Sequence, residues 1–386
     1  MTIFDTVSLD QLRRRTSVKW RQYPPDVLPL FVAEMDVPQP EPVVRAVTDA
    51  LHRGDTGYPS GSGYAEAMAA FADERWGWTV DVGAARLVPD VMLGAVEVLR
   101  LLTDPGDAVV INPPVYPPFT AFIRHGGRTV VDAPLGPDGR LHLESLERSF
   151  ETATAAGRRA AYLLCHPHNP TGTLHTADEL RAVGALASRY GVRVVADEIH
   201  APLVLAPDQR FVPTTTQIPD AIALHSASKA FNLAGLRAAV AVPGPEAVDD
   251  LARMPEIVGD GVTHLGAIAQ TAAYRESGPW LDDVLDGLAR NQQLVHRSLS
   301  EQLPAARWSP PDATYFAWID LRAVPVVRAG EDPARLALAR GRVALNPGPT
   351  FGVEGTGFVR MNLATGTSML TDAVKRLVGS LSATDS

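Results

Sequence analysis

The chain has 386 residues, 46% of them hydrophobic and 20% charged. That balance excludes a disordered tail protein, and the length calls for roughly two or three domains. A formal net charge of −9, spread over scattered acidic residues, argues against nucleic acid or an anionic membrane as partner.

In chain order, Met1 to Trp20 alternates polar and apolar residues and carries Arg13, Arg14 and Arg15, without the continuous apolar core of a secretory signal. No later segment reaches the ~20 apolar residues that span a bilayer, so the chain reads as soluble and cytoplasmic. Residues 1–35, with Pro24, Pro25 and Pro29, fit no regular pattern and are expected to form an arm against the carboxy-terminal unit. Asp90-Val91-Met92 then precedes an apolar helix from Leu93 to Leu102. The N–H groups of Val91 and Met92 at that helix start can meet an anion. Asp90 would serve there through its backbone, because its carboxylate has the anion's sign.

Short apolar runs follow, read as strands over Ala108–Ile111, Thr129–Asp132, Ala160–Cys165, Val192–Ala196, Ala221–His225 and Ala238–Val242. Their near-continuous apolarity predicts strands covered on both faces, as in a mostly parallel sheet. Helical spacing occupies Val115–His125, Glu144–Ala156 and Thr176–Tyr190. Thr176 with Glu179 is a capping-box signature and Gly191 a helix stop. The alternation predicts an α/β unit over 36–280. A long helix from Trp280 to Leu303 leads into a smaller unit over 281–386, which mixes short strands such as Tyr315–Asp320 with two helices. The single cysteine, Cys165, ends an apolar run; it excludes an intrachain disulfide and reads as a buried, inert thiol.

Three polar positions stand just past predicted strands: Asn169, Asp197 and Ser226. Ligands in α/β sheets bind beyond the carboxyl ends of strands, so these segments are expected to converge on one cleft. Ser226-Ala227-Ser228-Lys229 continues to Arg237 and supplies an amine, two hydroxyls and a guanidinium. Together these are parts for holding pyridoxal phosphate (PLP). Lys229 can form a Schiff base with the cofactor aldehyde and move protons at the substrate Cα. Asp197 can keep the pyridine nitrogen protonated, while His200 and Asn169 can hydrogen-bond the phenolic oxygen. Ser226, Ser228, Arg237 and the N–H groups of Val91 and Met92 can form a phosphate cup. Tyr116 is suited to stack on the ring, and Arg360 can grip a substrate carboxylate through a forked pair. No metal is assigned.

The chain resembles the fold-type I PLP-dependent enzymes of the class I/II aminotransferase superfamily, and within them the MalY/PatB cystathionine β-lyase branch. The resemblance runs over nearly the whole chain. It is carried by Leu30-Phe31-Val32-Ala33-Glu34-Met35-Asp36, Gly57-Tyr58-Pro59, Pro113-Pro114-Val115-Tyr116 and His168-Asn169-Pro170-Thr171-Gly172. It continues through Asp197-Glu198-Ile199-His200, Ser226 to Arg237 and Arg360-Met361-Asn362-Leu363. The resemblance implies a large domain with a mostly parallel sheet, a smaller α+β domain, and a homodimer with shared active sites. It implies that Tyr58 binds phosphate in the partner's site and that Arg360 binds the substrate carboxylate. Glu34 stands where the branch often has aspartate and is placed near the substrate entrance. His166 replaces a frequent asparagine, and Asp90-Val91-Met92 lacks a common glycine.

The expected function is a carbon–sulfur β-lyase acting on cystathionine or another S-substituted L-cysteine, releasing a thiol, pyruvate and ammonia. The alternative is an aminotransferase using the same residues, or a specialised enzyme acting on an S-conjugate. A noncatalytic interaction protein on this fold would lack a cofactor absorption band.

Overall fold

A computed structural model of the chain describes residues 2–382. In chain order the strands are β1 (Leu28–Pro29), β2 (Arg86–Val88), β3 (Ala108–Ile111), β4 (Thr129–Asp132), β5 (Ala160–Cys165) and β6 (Val192–Asp197). They continue with β7 (Ile222–His225), β8 (Ala239–Pro243), β9 (Phe316–Asp320), β10 (Val343–Ala344), β11 (Asn346–Pro347) and β12 (Phe358–Asn362). Seven of them form one sheet in the order β2-β8-β7-β6-β5-β3-β4. All neighbours pair in parallel except at β8, which runs antiparallel to both β7 and β2.

The apolar runs are continuous because successive residues enter two different cores. Val109, Ile111, Ala161, Leu163 and Val195 face one cluster. Ala108, Val110, Tyr162, Leu164 and Val194 face the other. The helix Val91–Leu102 covers the first face through Ala95, Val98 and Leu99. It lies so near the sheet that a Cβ on Gly94 would stand 2.7 Å from Val88 Cγ2 and 2.9 Å from Leu224 Cδ2, so glycine is required. Helices Leu143–Ala153 and Ala177–Tyr190 cover the second face. The latter has the predicted capping box at Thr176 and Glu179, and Gly191 ends it in the left-handed region at φ 65°.

Boundaries shift where prolines intervene. The helix expected from Val115 starts only at Pro118, because Pro113, Pro114, Pro117 and Pro118 hold the preceding chain out of a helix. Tyr116 is thereby left in the turn facing the sheet's carboxyl edge. Strand β2, three residues on the sheet edge, carries too short a pattern to be seen in the sequence.

The remaining strands form an antiparallel sheet, β11-β12-β9, and a parallel pair that ties Leu28 and Pro29 to Val343 and Ala344. The long helix runs Gly278–Gln302 and buries Leu281, Val284, Leu288 and Val295. Residue 280 falls inside it. The largest apolar cluster passes through this position, joining Phe4, Phe71 and Phe231 to Phe316, Met361 and Leu377. Among the described residues, no helix is long and apolar enough to cross a membrane.

Candidate active site

The carboxyl edge of the seven-stranded sheet opens into a cavity of about 240 Å³. Asp197 is the last residue of β6, Ser226 directly follows β7, and Asn169 follows β5 by a short turn. Because β8 runs backwards, its start lies at this same edge, and Arg237 just before it reaches the cavity. Val91, Met92, Tyr116, Asn169, Asp197, His200, Ser226, Ser228, Lys229 and Arg237 all line this cavity. Residues spread from 91 to 237 therefore converge; for Asn169, Asp197 and Ser226 this is the convergence that their positions past strand ends predict.

Burial pushes the Lys229 amine down to about 8, with the Arg360 guanidinium adding like-charge repulsion and Asp197 opposing it. A neutral amine fraction is thus present near neutral pH. No hydrogen bond or ion pair holds Nζ among the described residues. Burial pushes the Asp197 carboxyl up to about 6; the Ile199 N–H at 3.1 Å and Lys229 pull the other way. The second Asp197 oxygen is unclaimed by the described residues. Glu198, next in the motif, turns away: it takes the Thr214 N–H at 2.8 Å and faces His225 Nε2 at 2.8 Å.

His200 is held by ring edges against Tyr315 and Phe316, with centroids 5.9 and 5.8 Å away. Burial pushes it down to about 3, so the imidazole is neutral. Its buried Nδ1 has no partner among the described residues. Asn169 Oδ1 accepts from Arg360 Nη1 at 3.0 Å, which turns the Asn169 amide nitrogen away from Arg360. Tyr116 lines the cavity wall beside Phe119, edge to face at 6.1 Å.

At the proposed anion end, the helix Val91–Leu102 begins with free N–H groups, and its Asp90 N-cap accepts from Leu93 N at 2.8 Å. The other Asp90 oxygen forms an ion pair with Arg237. The expectation that Asp90 serves through its backbone is thus incomplete: its carboxylate caps the helix and steers the guanidinium. Ser226 also departs from expectation. Its Oγ stands 2.8 Å from Ala238 O and 3.0 Å from Gln270 Oε1, two acceptors, so its one proton is spent inside the protein. Ser228 Oγ carries no such commitment among the described residues.

Three expected residues lie outside the cavity wall. Arg360 sits behind Asn169, buried, sandwiched over the Phe316 ring at 4.1 Å and the Phe351 ring at 5.0 Å. Its Nη2 donates to Phe31 O at 3.0 Å, and its buried Nε is unpartnered. Glu34 adjoins the lining residue Ala33 and accepts from Ser17 Oγ at 2.6 Å. Tyr58 is 83% exposed and does not touch its own chain's cavity.

The irregular segment 31–37 reaches the cavity through Ala33 and is fixed by residues the sequence did not single out. Asn362 Nδ2 donates to Val32 O and Glu34 O, each at 2.7 Å. Asn232 spans Met35, accepting its N–H at 2.8 Å and donating to its carbonyl at 3.0 Å. The buried Lys19 binds Glu34 O at 3.0 Å and the Asp36 carboxylate at 2.8 Å. Asn362 and Asn232 both lie in motif segments, yet only the fold shows what they bind. Asn232 adopts φ 55°, which asparagine tolerates better than most residues.

These observations fit a PLP site. An unengaged amine, a carboxylate with one open oxygen, a neutral histidine with an open nitrogen, and an arginine beside a helix start converge on one cavity. Residues 25–377 match the model of the family described as Aminotransferase class I and II. The chain is 50% identical over 398 aligned residues to "Putative cystathionine beta-lyase" of Mycobacterium tuberculosis, with 98% of each chain covered. It is 32% identical to cystathionine beta-lyase PatB of Bacillus subtilis, covering 92% of this chain and 93% of that one. The crystal structure of cystalysin from Treponema denticola, which contains a pyridoxal 5′-phosphate cofactor, superimposes with a TM-score of 0.88, at 25% identity and 99% coverage of both chains.

Proposed function

This chain belongs to the class I and II aminotransferase family, and within it we propose a PLP-dependent carbon–sulfur β-lyase acting on cystathionine or another S-substituted L-cysteine. The observation that carries the reading is the unengaged Lys229 amine, lowered to about 8 between Asp197 and Arg360, in a chain half identical to a protein named as a cystathionine lyase.

Bound PLP supplies an electron sink that stabilises negative charge at the substrate Cα. Asp197 holds the proton on the ring nitrogen, and its buried position makes that pairing strong. His200 and Asn169 would hydrogen-bond the phenolic oxygen of PLP, and Tyr116 would stack on the ring. The N–H groups of Val91 and Met92, with Ser228 and Arg237, would hold the phosphate. Tyr58 of a second copy completes this cup in a homodimer with shared sites. Arg360 takes the substrate carboxylate and Glu34 flanks the entrance. Lys229 Nζ removes the Cα proton, after which the Cβ–S bond breaks and the sulfur leaves as a thiol. With one water the balance is S-substituted cysteine to thiol, pyruvate and ammonia.

We assign residues 36–280 to the cofactor-binding unit and 281–386 to the smaller one, with 1–35 as an arm packing against the smaller unit. The enzyme is placed in the cytoplasm. The deciding experiment incubates purified enzyme with cystathionine and S-methylcysteine and measures thiol, pyruvate and pyridoxamine phosphate together. Equal thiol and pyruvate support the lyase. Pyridoxamine phosphate with a keto acid and no thiol replaces it with an aminotransferase.

A further inference from the structure

Gln270 lies on the helix His264–Glu276, fully buried, and grips both ends of the loop that carries Lys229. At the loop's entry its Oε1 accepts the Ala227 N–H at 2.9 Å and lies 3.0 Å from Ser226 Oγ. At the exit its Nε2 donates to Leu236 O at 2.8 Å. Tyr64 Oη donates to the same Oε1 at 2.6 Å and fixes the amide's orientation. Ser226 Oγ adds a second clasp to Ala238 O at 2.8 Å and accepts the Ser228 N–H at 3.2 Å.

The helix backbone is docked on the same loop. Thr263 gives its N–H and its hydroxyl to Arg237 O, at 3.1 and 2.8 Å. A Cβ at Gly266 would lie 2.9 Å from that carbonyl, so the close approach depends on glycine. An amide supplies at every pH an acceptor for several donors together with a donor for Leu236 O; alanine offers neither, and an ionised glutamate would face that carbonyl with negative charge. In a dry interior each lost partner leaves a buried polar group unpaired.

We propose that Gln270, oriented by Tyr64, is the residue that positions the Ser226–Arg237 loop, so that Lys229, Ser228 and Arg237 meet the cofactor as one pre-set unit. The loop has no regular secondary structure of its own, so without this clasp its ordering would be charged against cofactor binding. Gln270 does not line the cavity and acts only through the loop. The inference rests on the PLP reading of that cavity.

The test titrates cofactor-free protein with PLP by visible absorption for wild type, Gln270→Leu, Gln270→Glu and Tyr64→Phe, with melting of each cofactor-free protein in parallel. Gln270→Leu should weaken PLP binding by roughly tenfold or more, and Tyr64→Phe by a few-fold. Gln270→Glu separates positioning from general destabilisation. Its protonated carboxyl again offers one acceptor and one donor, and burial raises the pH at which it ionises. Its PLP affinity relative to wild type should therefore recover as pH falls from 9 to 6, while the Gln270→Leu ratio stays flat. If both Gln270 variants bind within about threefold of wild type, or the Gln270→Glu ratio is pH-independent, the positioning role is wrong. If Gln270→Leu does not fold, Gln270→Glu and Tyr64→Phe decide it. Failure of wild type itself to bind PLP would instead remove the cofactor reading.

Discussion

Arg360 Nη1 donates to Asn169 Oδ1 across 3.0 Å, joining strand β12 of the small sheet to the loop after β5 of the large one. The bond makes the expected carboxylate-binding group and the expected cofactor-binding amide parts of one arrangement. The guanidinium has no exposed freedom, being sandwiched between Phe316 and Phe351.

Arg360→Ala should therefore do two things. Amino-acid binding should weaken by on the order of 2–5 kcal/mol, as for loss of a desolvated charge pair. Asn169 also loses its partner, so PLP affinity should fall modestly. Arg360→Lys keeps the charge without the fork and should leave most of the substrate defect. Binding of a nonreactive amino acid, followed by the cofactor spectrum, gives the first quantity; unchanged affinity would reject the carboxylate role.

Lys229→Ala should lower multiple turnover by roughly three orders of magnitude or more, because one amine serves as cofactor anchor and proton carrier. PLP should still bind weakly through the ring and phosphate contacts. Steady-state thiol release with a parallel PLP titration checks both; near-native turnover would show that another group moves the Cα proton.

Asp197 opposes stability to function. Folding raises its carboxyl from 3.8 to about 6, chiefly through burial. The folded, cofactor-free state thus favours the protonated carboxyl. That contribution is complete below about pH 4 and is lost as pH rises through about 6. Ionised Asp197 then costs the cofactor-free protein up to about 3 kcal/mol. Asp197→Asn should stabilise cofactor-free protein at pH 8, with the gain fading towards pH 4, while PLP binding and turnover fall. Urea unfolding at pH 4, 6 and 8 reads the trend; no gain at pH 8 would mean that the carboxylate is already well solvated.

Tyr58 has 83% of its surface exposed and does not touch its own chain's cavity, which accords with the proposed phosphate contact in a second copy. Mixing Lys229→Ala chains with Tyr58→Phe chains and allowing exchange tests this. In the mixed dimer one site carries both lesions and the other neither. The intact site should regain wild-type PLP affinity and turnover. With exchange verified by native mass spectrometry, absence of restoration would place Tyr58 outside the neighbouring site.

Local pattern carries six strands of the seven-stranded sheet, β3 to β8, and the chemistry at their ends. Runs such as Ala160–Cys165 are apolar at every position because alternate residues enter separate cores, and that burial is written locally. Asn169, Asp197 and Ser226 follow such runs, so their convergence was legible without coordinates. The rest depends on partners far apart in the chain. The reversed direction of β8 delivers Arg237 to the cavity, a matter of strand order that no local pattern encodes. Ser226 commits its one hydroxyl proton between Ala238 O and Gln270 Oε1, and Asp90 turns its carboxylate to Arg237, because docking sets those contacts. Gln270 was invisible in an alanine-rich helix, since a buried amide acquires a role only from the donors that the fold brings to it. Periodicity fixes which side chains leave water; the identity of their partners follows from how the elements are ordered in space.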